Sequence, residues 1–450
     1  MGKVMVDRTL TEELATFIVD TDTDSIPEDV YGHAKVCFQD WLGVAVAGAN
    51  EPLVGKLRAH SDRMGGYEQS SLIGHWQKKN VEQAAMINGA ASHALDYDDS
   101  SMSMIGHPSV VLFPGTLALA EWRSHSGRDF LTAFIVGLQV ASTLGECVGK
   151  SHYMKGWHAT STLGHVGAAA AAARLLGLNR EQTLNALGIA ATQAGGLKRV
   201  FGTMCKPFHA GNAAANAVSS VLLAEDGFTS ANNIIEGPFG FLSVMASENN
   251  VSAFDHLARQ WDIDRVAQKY HASCHGTHAP IEAALEVVKT NCLAIEDIQS
   301  IHVSCSHLAV DAASILAPQT GLEGKFSINY CVANALLRGH TGMQAFTDEK
   351  VHDLRGKALY ENITVIRDDR LGELESRVVI NTKSGQTLTG RVDVMTNIPP
   401  LPVKAEKIQN KVLDILEPVW GRSKASAVLQ TLSKLETVDT MADLMRQLKD

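Results

Sequence analysis

Residues 164–173 read Gly-His-Val-Gly followed by six alanines. A helix so poor in bulk has no wide apolar stripe to lay on a single partner, and its small side chains let neighbours approach closely. It therefore belongs in the middle of a helix bundle, which requires several other helices around it. They are legible: from about residue 9 to 265 the periodicity is helical. Thr11-Glu12-Glu13 opens a first helix to about Val19. Ser25 is a candidate N-cap for the next, with Pro27 near the first helical position and Glu28 and Asp29 in its first turn. Val30, Ala34, Cys37, Phe38, Trp41, Leu42 and Val46 then form a stripe of helical period. No strand precedes Gly164, so its glycines read as packing positions and not as a dinucleotide fingerprint.

Beyond about residue 295 the pattern changes. Ile298–Ser306 alternates like a strand, as do Ile363–Arg367 and Arg377–Ile380, and Lys383-Ser384-Gly385-Gln386 makes a hairpin turn into Thr387–Val394. Helices near 279–291 and 326–338 accompany them, and Asn397-Ile398-Pro399-Pro400 marks an end. The expected organisation is an all-helical domain over 1–265, a smaller α+β domain over 266–396, and C-terminal helices over 397–450 that return to the first domain. The fold class is mainly α with a smaller α+β part. A chain of 450 residues suffices for two such cores.

A formal charge of −10 with 20% charged residues argues against nucleic acid as a partner and supplies no basic membrane patch. No uncharged apolar run reaches the length of a membrane span, and the N-terminus has no secretory pattern. Met1-Gly2 is followed by Val6 where a myristoylation signal requires Ser or Thr. Seven scattered cysteines without C-x-x-C spacing read as reduced thiols, and hence as a cytoplasmic protein.

Against this acidic background, cations gather at helix starts. His107 precedes Pro108-Ser109 and an apolar run; His158 precedes Ala159-Thr160-Ser161; Lys206 and His209 precede Gly211-Asn212; Lys269, His271, His275 and His278 precede Pro280. A helix N-terminus repels cations and attracts anions, so the repetition points to an anionic ligand held among them. Carboxylates show the reverse anomaly: the helix Asn80–Leu95 runs into Asp96-Tyr97-Asp98-Asp99-Ser100. Acids beside cations supply the means for proton transfer on an anionic substrate. Lys325-Phe326-Ser327-Ile328-Asn329-Tyr330 adds a phenol that belongs either in a cleft or in the core. His271, His275 and His278 with Cys274 resemble metal-ligand spacing, but Gly276 and Pro280 break the helix that would align them, so no metal is assigned. H-E-x-x-H, G-x-S-x-G and the phosphate-binding lysine loop are all missing.

Taken in order, His93-Ala-Leu-Asp-Tyr-Asp-Asp99, Gly106-His-Pro108, Gly156-Trp-His158, Lys206-Pro-Phe-His-Ala-Gly211, Lys269 through His278 and Lys325-Phe-Ser-Ile-Asn-Tyr330 resemble the MmgE/PrpD family. That family includes 2-methylcitrate dehydratases, cis-aconitate decarboxylases and iminodisuccinate epimerase. The resemblance implies a large helical domain built from both chain ends, an α+β lid, a homodimer, and no metal or organic cofactor. It places catalytic groups at Asp96, His107, His158, Lys206, Lys269 and Tyr330, with Ser100, Lys206, Lys269 and His275 binding substrate. Lys206 and Lys269 would clamp carboxylates, and His107 and His158 would move protons. Asp96 would orient a histidine or act as base, and Tyr330 would donate to a leaving hydroxyl. His275 stands where many members have Arg, and the loop from Asp96 to His107 is slightly longer than in the decarboxylase branch. The expected activity is dehydration of a 2-methylcitrate-like di- or tricarboxylate, with decarboxylation or epimerisation as alternatives. From another class come a non-catalytic carboxylate binder and a metal-dependent hydrolase using the histidines of 271–278.

Overall fold

The computed structural model describes residues 8–257, 259–339 and 341–449. Met1, Gly2 and Val6, on which the lipidation reading rests, lie outside the described residues. The chain divides into two compact units: residues up to Gln268 together with those from Leu416 onward, and Lys269–Ile415.

Unit 1 is helical apart from short strand pairings such as Ser70–Ser71 with Lys78–Lys79. Its central helices are α1 (Val81–His93), α2 (Ser109–Arg123), α3 (Gly127–Met154), α4 (Ala159–Leu176) and α5 (Cys205–Glu225). α4 contains the alanine run and is buried along nearly its whole length, as its lack of bulk requires. A Cβ on Gly137 of α3 would lie 2.6 Å from Ala171 Cβ, and one on Gly167 of α4 would lie 2.7 Å from Ala141 Cβ. These two helices therefore cross backbone to backbone. α1 and α5 meet the same way: a Cβ on Gly89 would lie 2.8 Å from Gly211 Cα, and one on Gly211 would collide with the Met86 carbonyl.

Bulk enters from the helix Glu28–Gly48, whose Phe38 and Trp41 pack with Phe113, Phe130 and Phe134; the Phe113 and Phe134 rings stack 3.9 Å apart. That helix begins at Glu28 with Pro27 at its cap. Ser25 instead closes a 3-10 turn, Thr23–Ser25, and does not cap the helix. By length and composition α3 is apolar enough to cross a membrane, but 94% of its apolar window is buried in the protein, as befits a core helix.

Unit 2 carries a four-stranded sheet: β1 (Ile298–Cys305), β2 (Ile363–Arg367), β3 (Glu375–Thr382) and β4 (Thr387–Asp393), in the order β2-β1-β3-β4. β1 and β2 are parallel and the other pairs antiparallel. Gly385, at φ 86°, makes the β3–β4 turn. α6 (His278–Thr290) lies on the sheet so closely that a Cβ on Gly390 would be 2.7 Å from Val287 Cγ2. α7 (Ile328–Arg338), the first part of α8 (Leu401–Trp420) and several shorter helices also belong to the unit.

The expected boundary at 396 needs correction, since residues 397–415 group with unit 2. The physical reason is polar. Lys407 of α8 pairs with Glu282 of α6 at 2.9 Å, and Lys411 Nζ donates to the Lys269 carbonyl at 2.8 Å. Only from Leu416 does the chain count with unit 1. There Lys35 pairs with Glu436 at 2.7 Å, and the Gly127 amide donates to the Val438 carbonyl at 2.9 Å.

Candidate active site

α1 ends at His93, and the chain then turns through Asp96 in the left-handed region, at φ 52°. This turn swings Asp98 back under the end of the helix it has just left. Asp98 is buried, and one oxygen, Oδ2, lies 2.9 Å from His93 Nδ1 and 3.0 Å from His107 Nδ1. His107 Nδ1 also lies 2.7 Å from the Asp99 carbonyl oxygen. A carbonyl only accepts, so Nδ1 of His107 carries the proton and its Nε2 presents a lone pair. His107 is thus built as a base.

Gly106 lets this loop approach the start of α4. A Cβ there would lie 2.9 Å from the Thr160 amide, and His107 N donates to Thr160 Oγ1 at 3.1 Å. His158 caps α4 and is buried; its amide donates to the Gly196 carbonyl at 3.0 Å. Its ring stacks over His93 at 6.1 Å, meets Phe201 edge-on at 4.9 Å, and has Nδ1 3.0 Å from His209 Nδ1. Lys206 and His209 lie within the first two turns of α5, which begins at Cys205. The sequence reading had placed them ahead of a helix starting near Gly211. Three positions apart on a helix, they share a face.

Burial and neighbouring charge disfavour the cationic forms of His93 and His158. Burial, then the positive charge of Lys206 and the presence of His107, hold His93 down to about 4 in spite of Asp98. Burial, then His93, His107, Lys206 and His209, hold His158 far below the ordinary histidine range. Burial alone would raise the Asp98 carboxyl, but the two imidazoles that bind it bring it well below the usual value. Asp99 accepts from the Ser109 amide at 3.2 Å and Oγ at 2.5 Å, and burial, with Asp40 and Asp98 nearby, pushes it up to about 7. The arrangement therefore sets the neutral imidazoles of His93 and His158 beside the Lys206 ammonium group.

Asp96 is paired with Lys206. Its Oδ1 accepts from Lys206 Nζ at 2.8 Å, and the carboxylate is half exposed. Asp98 is the carboxylate that holds His93 and His107. Ser100 stands beside them through a backbone bridge to Ala267, and its Oγ, like His93 Nε2 and Asp98 Oδ1, has no hydrogen-bond partner among the described residues. His93, Asp96, Asp98 and His107 offer ligand atoms within 4.8 Å of one another, as a cation site would. However, the proton that His107 Nδ1 gives to Asp99 leaves that nitrogen no lone pair for a metal.

Lys269, His275 and Tyr330 belong to unit 2. Lys269 is buried there beside His278. The turn His275–Thr277 precedes α6, and the His275 and His278 rings stand 5.1 Å apart. His271 Nδ1 lies 2.6 Å from Thr341 Oγ1, and its Nε2 faces Glu282 at 3.2 Å. Burial alone would raise Glu282, but His271 and Lys407 bring it down to about 2. The His271 ring also stands 5.1 Å from that of His278.

Tyr330 is buried in α7 with its hydroxyl donating to the Ala345 carbonyl at 3.0 Å, and burial raises its phenol above the ordinary range. Its proton is engaged on the backbone, and the ring packs within unit 2 beside Phe346 and Tyr360. The sequence reading gave no role to His93 or His209. Lys206 and His209 at helical spacing were a usable signal; the return of Asp98 to His93 depends on a left-handed turn that no pattern announced.

The model described as the MmgE/PrpD N-terminal domain matches residues 12–253, and the MmgE/PrpD C-terminal domain matches residues 271–437. The chain is 27% identical to a cis-aconitate decarboxylase-like protein of Aspergillus oryzae, over 97% of this chain and 96% of that protein. It is 26% identical to the cis-aconitate decarboxylase of Mus musculus, over 99% and 94%. It is also 26% identical to the 2-methylcitrate dehydratase of Escherichia coli K12, over 75% and 74%.

Proposed function

The chain belongs to the MmgE/PrpD family, and from that premise we propose that it is a lyase that removes water from a citrate-like di- or tricarboxylate. One observation carries the reading: His107, fixed with its Nε2 lone pair outward, stands with neutral His158 in the same unit as Lys206. Elimination beside a carboxylate begins with loss of a proton from carbon, and the charge spreads into that carboxylate. His107 Nε2 takes the proton; Lys206 stabilises the growing charge, a role worth roughly 3–4 kcal/mol for a well-placed donor; a protonated imidazole releases hydroxide as water. A binding protein needs the ammonium group but has no use for a base whose tautomer is fixed.

A second reading, decarboxylation, is favoured by the near full-length match to decarboxylases, against three quarters of the chain for the dehydratase. Loss of carbon dioxide leaves the same carbanion, which the same imidazoles protonate. We place the enzyme in the cytoplasm as a homodimer; seven free cysteines support the compartment.

Proton NMR of the enzyme with 2-methylcitrate, citrate, cis-aconitate or iminodisuccinate tests both readings. Vinylic signals from a citrate-type acid mark the dehydratase, and itaconate with carbon dioxide marks the decarboxylase. His158→Ala should abolish the turnover with an unchanged circular dichroism spectrum. Turnover near the wild-type rate in that variant would remove His158 from the mechanism.

A further inference from the structure

The contact between His158 and His209 joins like atoms: Nδ1 faces Nδ1 at 3.0 Å. Two imidazoles so placed form a hydrogen bond only if one Nδ1 carries a proton and the other does not. The tautomer of one ring therefore dictates that of the other. The surroundings hold the pair in register. Gly196, at φ 124°, brings its backbone so close that a Cβ would lie 2.9 Å from Ser161 Cβ and 3.2 Å from His209 Nδ1. The same residue's carbonyl holds the His158 amide. The two rings differ in setting. His158 is buried and faces His93, His107 and Lys206, all hostile to a second positive charge. His209 is half-buried, faces His158 and His165, and lies nearer solvent.

We infer that His209 is the positioning and proton-relay partner of His158: it selects which His158 nitrogen meets the substrate and exchanges with it the single proton lying between the two Nδ1 atoms. This rests on the lyase reading above. As base, His158 accepts a proton at Nε2 while its Nδ1 proton passes to the Nδ1 lone pair of His209. The N–H bond at His158 Nδ1 breaks, one forms at His209 Nδ1, and His209, already protonated at Nε2, becomes the cation. In the reverse direction His209 returns that proton, and His158 Nε2–H is delivered to a leaving hydroxyl or to a carbanion. In both directions His158 ends neutral, as its burial beside the Lys206 ammonium group demands, and the charge resides on the ring better placed to be hydrated.

The test compares His209→Ala and His209→Asn with wild type. Asn keeps a polar group near the Nδ1 position but cannot relay a proton. A relay predicts that both variants lose 10-fold or more in kcat with KM changed less than about 3-fold, in line with the contribution of general acid–base catalysis. It also predicts that the pH–rate limb of the pair disappears in both. Recovery of kcat by Asn alone would reduce His209 to a structural prop, and an unchanged pH profile in Ala would overturn the inference. Nitrogen-15 NMR of histidine-labelled wild type gives an answer independent of any variant and of turnover: His158 should show a single fixed tautomer, bonded through Nδ1. An averaged tautomer sinks the proposal even if the enzyme is active. Silence toward every acid, with the fixed tautomer present, sinks the substrate reading and leaves the pair standing.

Discussion

Asp98 shows how much one carboxylate can organise. By accepting from two imidazoles through a single oxygen it fixes both rings, and its burial makes each of those hydrogen bonds hard to give up. His93 is the ring for which this has a measurable consequence. Its ionisation is lowered to about 4 from the ordinary 6.5, so the unfolded chain binds the extra proton first. The stability gained by keeping His93 neutral is complete above about pH 6.5 and is lost as the pH falls toward 4, a span worth roughly 3 kcal/mol. His93→Asn should therefore be less stable than wild type at pH 7, by a deficit that shrinks on acidification to pH 4. Thermal melts at each pH decide it, and a constant deficit would mean that the ring matters only for packing. Asp99 works in the opposite sense: raised to about 7, its contribution is full below its ordinary value of 3.8 and is lost as the pH rises toward 7. At this scale the sequence was only partly readable. His107, His158 and Lys206 stood out because each sits at a helix start, against the dipole. Asp98 and His93 did not, because their meeting depends on the φ of Asp96, a quantity no residue type dictates.

The helices were easier to read than the residues, because periodicity is a property of many positions at once. α4 was recognisable from its composition: so little bulk is compatible only with burial among close neighbours. The start of α5 was misplaced by six residues, from Gly211 to Cys205, because Gly211 reads as a boundary. The structure gives that glycine another reason to exist, since a Cβ there would run into the Met86 carbonyl of α1. Overpacking at such a crossing costs roughly 1–3 kcal/mol. Gly211→Ala should lower the melting temperature and, by levering the first two turns of α5 away from α1, cut turnover more than the loss of stability explains. A variant that melts and turns over like wild type would show that α1 and α5 can separate without disturbing Lys206 and His209. The sheet of unit 2 was legible strand by strand, including its hairpin, because alternation and a Gly-containing turn carry that information locally. Its strand order, which pairs β1 with both β2 and β3, is not encoded in any single stretch.

For the whole molecule, the first division of the chain falls after Gln268, where the sequence reading placed it at 265. The second fell at 415 in place of 396, since α8 is a single continuous helix whose lysines are committed to unit 2 before its end joins unit 1. Pro-rich punctuation at 397–400 marks where a helix begins, which is a different matter from where a unit ends. A homodimer is the expected state, and light scattering should return twice the 48.3 kDa of one chain; a mass of one chain at micromolar concentration removes the dimer from the description. The net charge of −10 on each chain places this protein among those that repel anions at a distance. The salt bridge between Asp96 and Lys206 takes on a further meaning in that light. The protein already holds a carboxylate against its own ammonium group, tethered at a fixed effective concentration, so every incoming acid must win an exchange and does not simply fill a vacancy. A lone acetate offers nothing that Asp96 does not. An acid with several carboxylates brings further contacts to the exchange and is expected to prevail. On the proposed lyase reading, selectivity for polyacids is expected to arise from this internal competition with Asp96.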